Sequence, residues 1–424
     1  MTGWLQALDR RARLRARAGL TRTLRPRPAT DATIDLAGND YLGLSRHPEV
    51  VAAAAAALHA YGLGATGSRL VRGSTDLHSA LERELADWLG VPAALVYSSG
   101  YLANLGALTA LARPRVRFVT DAHNHASLID GCRLARAEVV VTPHRDVTAV
   151  AAALAAAAAA GRPAVVVTES VFSVDGDLAP LAQLHRVARA HGAVLLVDEA
   201  HALGVVGPHG AGAVAEAGLA GQPDVVVSAT LSKSLGGTGG VVAGPAELIR
   251  HLIDTSRPFI YDTALPPAVA AGARVSVGLA RAADDLRAEV RQRATEAAAR
   301  LAAAGLETTT PAAGVVSVTA PGPQEALRWA ADCAARQVAV GCFRPPSTPD
   351  HRSRLRLTIS AGLSRSEFEA ALGVILDTAP AAARAQAAAA AGDSAGADGS
   401  AAGEAADVRA ARPEPAGLAP ERPR

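Results

Sequence analysis

The chain has 424 residues, half of them hydrophobic and 19% charged, enough to bury a sizeable core in roughly two or three domains and too apolar for global disorder. A formal net charge of +2 gives no reason to expect nucleic acid or a membrane as partner, and no apolar run approaches the roughly 20 residues of a membrane span. Three cysteines without a CxxC pair exclude a disulfide scaffold or a zinc ribbon and fit a reducing compartment, so a cytoplasmic location is expected.

Residues 1–45 form a basic helix and arm. Eight arginines between Arg10 and Arg27 face only Asp9, and helical spacing holds up to Gly19 before Pro26 and Pro28 stop it. A transit peptide is arginine-rich too, but Trp4, Leu5 and Leu8 are followed by no apolar leader core. The expectation is an amphipathic helix packed on the body. Residues 46–265 alternate. β-Branched runs at 116–120, 139–142, 165–168, 194–197 and 225–228 are separated by helical stretches such as 181–190. That rhythm predicts an α/β domain with a mostly parallel sheet covered on both faces, which binds ligands beyond the carboxyl ends of its strands. Residues 266–380 read as a smaller α+β domain. It has one long helix over 267–304 and strands near 315–319, 338–341 and 355–358, with a helix between the first two and another after the third. From 381 to 424 the chain is Ala, Gly, Pro and charge, too poor in large apolar groups to offset ordering entropy, and a disordered tail is predicted.

Lys and Arg together number 42, yet only one, Lys233, is lysine. Wherever a positive charge alone is wanted, the chain uses arginine. Guanidinium stays charged, so it cannot replace an amine that must lose its proton and attack carbon. Imine formation with an aldehyde is the commonest such task. The neighbourhood supplies what a pyridoxal phosphate site needs. The 194–197 run leads into Asp198-Glu199-Ala200-His201, the 225–228 run into Thr230 and Lys233, and the 165–168 run into Glu169 and Ser173. If these strands are neighbours, Asp198, His201, Thr230, Lys233 and Ser173 converge. A buried carboxylate would partner the ring nitrogen. Hydroxyls and a helix N-terminus, such as Ser98-Ser99-Gly100-Tyr101, would hold a phosphate.

Two other readings weaken on inspection. Asp-Glu-Ala-His also spells a helicase box, but the GxxxxGK[ST] phosphate loop is missing, since Lys233 follows Ser232. Asp121, His123 and His125 suggest a metal, but no further Cys/His cluster completes a shell. No metal is expected, and one histidine serves better as a flat partner for a ring.

Together these segments resemble the α-oxoamine synthases, pyridoxal-phosphate enzymes of the type I, aspartate-aminotransferase-like fold. The resemblance rests on Asn39-Asp40-Tyr41-Leu42-Gly43-Leu44-Ser45, Gly64-Ala65-Thr66-Gly67-Ser68-Arg69, residues 98–104, His125-Ala126-Ser127, Val171-Phe172-Ser173 with Asp175-Gly176, residues 197–201 and 230–233, and Gly341-Cys342-Phe343-Arg344-Pro345-Pro346. It implies that Lys233 carries the cofactor, Asp198 partners the pyridine nitrogen, His201 the phenolic oxygen, and His125 stacks on the ring. Gly100, Tyr101, Ser173 and Thr230 match cofactor contacts. Thr263 matches a segment reaching a neighbouring subunit's phosphate, which implies a homodimer with shared sites. Asn39, Arg344 and Ser347 fall in substrate-side segments. Where the family has Leu-Arg-Arg this chain has Leu20-Thr21-Arg22, leaving Arg22 to serve. Ala202, Ser347 and Pro349-Asp350-His351-Arg352 depart from the family pattern around the acyl pocket.

The implied reaction is the biotin-pathway condensation of L-alanine with a pimeloyl thioester, giving 8-amino-7-oxononanoate, CO2 and free thiol. The acyl donor would be pimeloyl-CoA or an acyl carrier protein. The Arg344-Pro345-Pro346 motif favours this branch over one using glycine and a shorter acyl-CoA to make 5-aminolevulinate or 2-amino-3-oxobutyrate. A cofactor-free binding module is disfavoured by the intact Lys233, Asp198 and His125 set.

Overall fold

The structure is a computed structural model and describes residues 3–384. Eleven strands fall into two sheets among the described residues. Seven of them, β2 (Ala93–Tyr97), β3 (Arg117–Asp121), β4 (Glu138–Thr142), β5 (Ala164–Glu169), β6 (Val194–Asp198), β7 (Val225–Thr230) and β8 (Gly240–Gly244), form one sheet in the order β2-β8-β7-β6-β5-β3-β4. Only β8 runs antiparallel to its neighbours. The β-branched runs are unbroken because both faces are covered. On β6, Leu195 and Val197 belong to one core and Leu196 to the other.

β1 (Ile34–Leu36), β9 (Val315–Thr319), β10 (Val338–Phe343) and β11 (Arg354–Thr358) make the second sheet, in the order β1-β10-β11-β9. It packs on a separate core that includes Trp329, Leu357 and Phe368. The expected helices appear at Pro323–Ala335 and Arg365–Asp377. β1 comes from the N-terminal arm and pairs in parallel with β10, so the arm is stitched into the small sheet.

Three expectations meet a different structure. The long helix over 267–304 is two helices, Pro267–Ala282 and Asp284–Ala303, broken at Ala283. Asp284 and Asp285 suit the positive start of the second helix. The buried Arg287 reaches back to the Ala280 carbonyl at the end of the first and pairs with Asp284. The N-terminal helix forms at Gly3–Arg17 but buries no residue, and Trp4, Leu5, Leu8 and Leu14 stay exposed. Arg11 and Arg15 fall on the same face as Trp4 and Leu8 and interrupt its apolar stripe. At the other end, residues 381–384 continue as a helical turn with Ala383 buried. The rest of the expected tail lies outside the described residues.

Candidate active site

Strand register brings the predicted residues together. Glu169 at the end of β5 lies opposite Asp198 of β6, and Asp198 lies opposite Ser228 of β7. Thr230 closes β7 opposite Gly240, and the turn that follows carries Lys233. These carboxyl ends open on a cavity of about 280 Å³. Its wall includes eight of the thirteen predicted site residues: Gly100, Tyr101, His125, Ser173, Asp198, His201, Thr230 and Lys233.

Each side chain is held from a different element. Asp198, 5% exposed, accepts from Asn104 Nδ2 at 2.7 Å and from the Ala200 N–H at 2.9 Å. Asn104 is oriented in turn by Ser228, which donates to its Oδ1 at 2.6 Å. Such donors suit an acceptor that must stay anionic. His201 is buried, with Nδ1 2.6 Å from the Tyr41 hydroxyl. Burial holds its pKa well below the ordinary histidine value, helped by Lys233 and Arg356. The ring is therefore neutral, and its Nδ1 is committed to the Tyr41 hydroxyl. His125 caps the helix Ala126–Leu134, its Nδ1 accepting from the Ser127 N–H at 3.2 Å. Burial lowers its pKa against the pull of Asp198, so it too is neutral with the proton on Nε2. Lys233 is half-buried in the cavity wall. That burial brings its pKa down to about 8, although Asp198 and Glu169 favour the cation.

The helix Gly100–Leu111 starts at the cavity, capped by Ser99, whose hydroxyl accepts from the Leu102 N–H at 3.2 Å. A Cβ on Gly100 would sit 3.0 Å from the Thr230 Cβ, and one on Gly240 only 2.6 Å from the Gly100 Cα. Glycine at both places lets the helix start press on the ends of β7 and β8. The free N–H groups of that first turn and the Thr230 and Ser232 hydroxyls make a small anion cradle.

This donor set fits pyridoxal phosphate. It offers one amine with a lowered pKa, a buried carboxylate, two neutral histidines of which His125 presents Nε2–H, and a helix-start cradle for the phosphate. No other lysine exists in the chain to compete for the aldehyde.

The remaining predicted residues lie elsewhere. Arg22, Arg344 and Ser347 line a second cavity of about 550 Å³ with Arg15, Thr21, Cys342 and Pro345. There Arg22 donates to the Ser347 hydroxyl at 2.9 Å, and Arg344 to the Gly19 and Thr21 carbonyls. Asn39 accepts from Arg356 at 3.0 Å. Thr263 is exposed, outside both cavities. His123 and His125 diverge because both lie in the turn between β3 and the helix Ala126–Leu134, off the strand. His123 stacks on His144 at 3.9 Å and reaches Asp175, away from the cavity that His125 lines. No group of three His, Cys, Asp or Glu among the described residues has metal-holding geometry.

Sequence reasoning passed over Arg356, Glu169, Asn104 and Tyr41. Arg356 is 6% exposed, donates to the Ser173 carbonyl at 2.7 Å, stacks over Phe343 at 4.6 Å, and leaves its Nε buried without a partner. The signal was there in Arg354-Leu355-Arg356-Leu357, where two charges share one face of a strand whose other face is apolar. Asn104 was visible as one polar residue in an apolar helix.

Comparison with known proteins bears on the same site. The chain matches the family described as aminotransferase class I and II over residues 31–375. It is 52% identical over 383 residues to the 8-amino-7-oxononanoate synthase of Mycobacterium marinum, covering 90% of this chain and 96% of that one. A serine palmitoyltransferase from S. paucimobilis, solved with bound pyridoxal phosphate joined to myriocin, superposes with a TM-score of 0.81 at 31% identity, over 88% of this chain and 96% of that one. An 8-amino-7-oxononanoate synthase from Francisella tularensis superposes with a TM-score of 0.71 at 27% identity, over 82% and 98%.

Proposed function

As the chain belongs to the aminotransferase class I and II family and, within it, to the 8-amino-7-oxononanoate synthases, we propose that it condenses L-alanine with a pimeloyl thioester, releasing CO2 and free thiol, in biotin biosynthesis. Pyridoxal phosphate, when bound, supplies an aldehyde for the amine and a ring that takes up the electrons of the α-carbon. Asp198, His201, Ser173, Thr230, Gly100 and Tyr101 hold it, and His125 covers its face. The glycine-using alternative is not favoured by relatives of this name and identity.

The chain's own groups divide the work. Lys233, with its pKa near 8, has a neutral fraction at physiological pH that attacks the aldehyde, and its Nζ later takes the proton from the alanine α-carbon. Arg356 is a buried cation whose charge acts on this amine, with an Nε left to satisfy, and it receives the alanine carboxylate. Asn39 fixes the Arg356 fork. His125 Nε2–H donates to the thioester oxygen as charge develops there. Arg22, Arg344 and Ser347 accept the acyl donor, whose distal carboxylate suits a guanidinium.

Thr263, exposed here, reaches the cofactor phosphate of a second copy, so the working unit is a homodimer with shared sites. The three free cysteines fit a reducing, cytoplasmic setting. No described helix is long and apolar enough to cross a membrane. An acyl carrier protein is a fitting donor, since the helix Gly3–Arg17 is exposed and basic and its Arg15 lines the second cavity.

The observation that carries this reading is the solitary lysine of the chain sitting in one cavity with Asp198, His125 and His201. Purified protein given alanine and pimeloyl-CoA, or a pimeloyl-carrier protein, should release free thiol and yield 8-amino-7-oxononanoate by mass spectrometry. Absence of thiol with both donors contradicts it.

A further inference from the structure

Three carboxyl groups crowd the ends of β5 and β6, and they are treated differently. Asp198 has the donors described above. Glu199 is fully buried, and both its oxygens are engaged. Oε2 accepts from the Ser170 hydroxyl at 2.8 Å and the Ala213 N–H at 3.0 Å, and Oε1 from the Val214 N–H at 2.6 Å. It is a structural clasp on the helix Ala213–Glu216. Glu169 is 2% exposed and lines the cofactor cavity. Its Oε2 accepts from the Ser173 N–H at 3.0 Å, with the Ser173 hydroxyl close by, but its Oε1 is buried with no partner in the protein.

Register sharpens the point. Glu169 and Asp198 are direct partners on adjacent parallel strands, so their side chains leave the same face of the sheet side by side. Two neighbouring carboxyls in one buried site do not both ionise cheaply. Asp198 has the donors that hold an anion, and Glu169 has one backbone N–H on one oxygen. Burial, then Asp198, raises the Glu169 pKa to about 8, while Lys233 opposes. Arg356 on β11 is the other cation whose charge reaches it. When the amine of Lys233 is committed to the cofactor, its full positive charge no longer opposes the proton on Glu169.

We propose that Glu169 works as an uncharged carboxylic acid, with Oε2 accepting from Ser173 and Oε1–H donating a hydrogen bond to an oxygen of the molecule held in the cavity. That oxygen belongs either to the cofactor or to the amino-acid or acyl substrate. The proposal deepens the functional reading above and rests on it for the identity of the ligand. The proton on Oε1 follows from the geometry. An oxygen without a donor costs least when it becomes the donor, and in the protein alone that donor has nothing to bond.

The test compares the parent with Glu169→Gln, which keeps a donor and an acceptor without charge, and Glu169→Leu, which keeps neither. The first readout needs no activity. A native carboxyl with a raised pKa binds a proton that the unfolded chain has lost, so the parent loses stability as pH rises from about 5 to about 8. Glutamine has no such term. The melting temperature of Glu169→Gln relative to the parent should therefore climb across that window. The low pKa of Lys233 acts in both proteins and mainly above it. A relative melting temperature that is flat or falls with pH overturns the proposal.

The second readout uses holoenzyme. Glu169→Gln should stay within about 3-fold of the parent in kcat/KM, and Glu169→Leu should lose roughly 10- to 100-fold. If Leu also weakens retention of pyridoxal phosphate, the acceptor is a cofactor oxygen. If retention is unchanged and KM or kcat for alanine or thioester moves, it is a substrate oxygen. Glutamine as damaging as leucine would mean that the ionised form is needed, which sinks the proposal. A parent that makes no product with any donor removes the functional reading but leaves the melting result standing.

Discussion

The two cavities of this chain are built in opposite ways. The first is walled by the carboxyl ends of β5, β6 and β7, and its polar groups are pinned from several elements at once, as Asn104 and Ala200 pin Asp198 and Tyr41 pins His201. The second lies between the N-terminal arm and the 342–347 loop, where Arg22 and Arg344 are held mostly by one another's neighbouring backbone and Ser347. The helix Gly3–Arg17 beside it buries nothing. A pocket with fixed donors, low exposure and shifted pKa values is equipped to change bonds. An arginine-lined cleft on an arm is equipped to hold an anionic ligand and to let it go. Damage to the first should therefore appear in kcat and in cofactor chemistry, and damage to the second in KM for the acyl donor.

The largest effect should come from Lys233→Arg. It keeps the charge but removes the only amine that can form an imine, so turnover should fall on the order of 10⁴-fold and covalent cofactor absorbance should vanish. Next is Arg356→Ala, which should raise KM for alanine roughly 10- to 100-fold through loss of a charge-assisted bond, with KM for the thioester changed far less. A shift in thioester KM alone would place Arg356 on the wrong side of the comparison. Arg344→Ala should raise KM for the pimeloyl donor about 10-fold with kcat little changed, and steady-state kinetics with both substrates varied would show it. The smallest effect belongs to Arg17→Ala on the exposed helix, which should leave the melting temperature nearly unmoved and change turnover of the CoA thioester by less than about 2-fold, as exposed charges usually do.

The pH behaviour of Lys233 sharpens the contrast further. An ordinary lysine captures aldehydes faster up to about pH 10.4. With its pKa lowered to about 8 by burial, Lys233 should take up pyridoxal phosphate at a rate that rises with pH and levels off above about 8. A rate still climbing steeply well beyond that value would mean the amine is not desolvated.

The first cavity was far more legible in the sequence than the second. Strand ends announce themselves by β-branched runs that stop at polar residues, so Asp198, Thr230 and Ser173 could be placed at one sheet edge from the sequence alone. β8 was missed because glycine at both of its ends hides a strand of three apolar residues, and the close backbone contact at Gly240 appears only in the fold. The break at Ala283 was missed because nothing in an Ala/Arg stretch marks it. It depends on Arg287 reaching back to a carbonyl in the preceding helix. Arg356 comes from the second sheet, and packing of β11 that no local pattern encodes brings it against Ser173 and Asn39. Thr263 faces outward in a single chain, and its proposed place beside a partner's phosphate has no signature within one subunit.

The account stands on Lys233 holding the cofactor covalently. Borohydride reduction of the protein loaded with pyridoxal phosphate, followed by proteolysis and mass mapping, should place one phosphopyridoxyl group on the peptide that contains Thr230, Ser232 and Lys233. A label on any other peptide, or a protein that returns unlabelled, would contradict it.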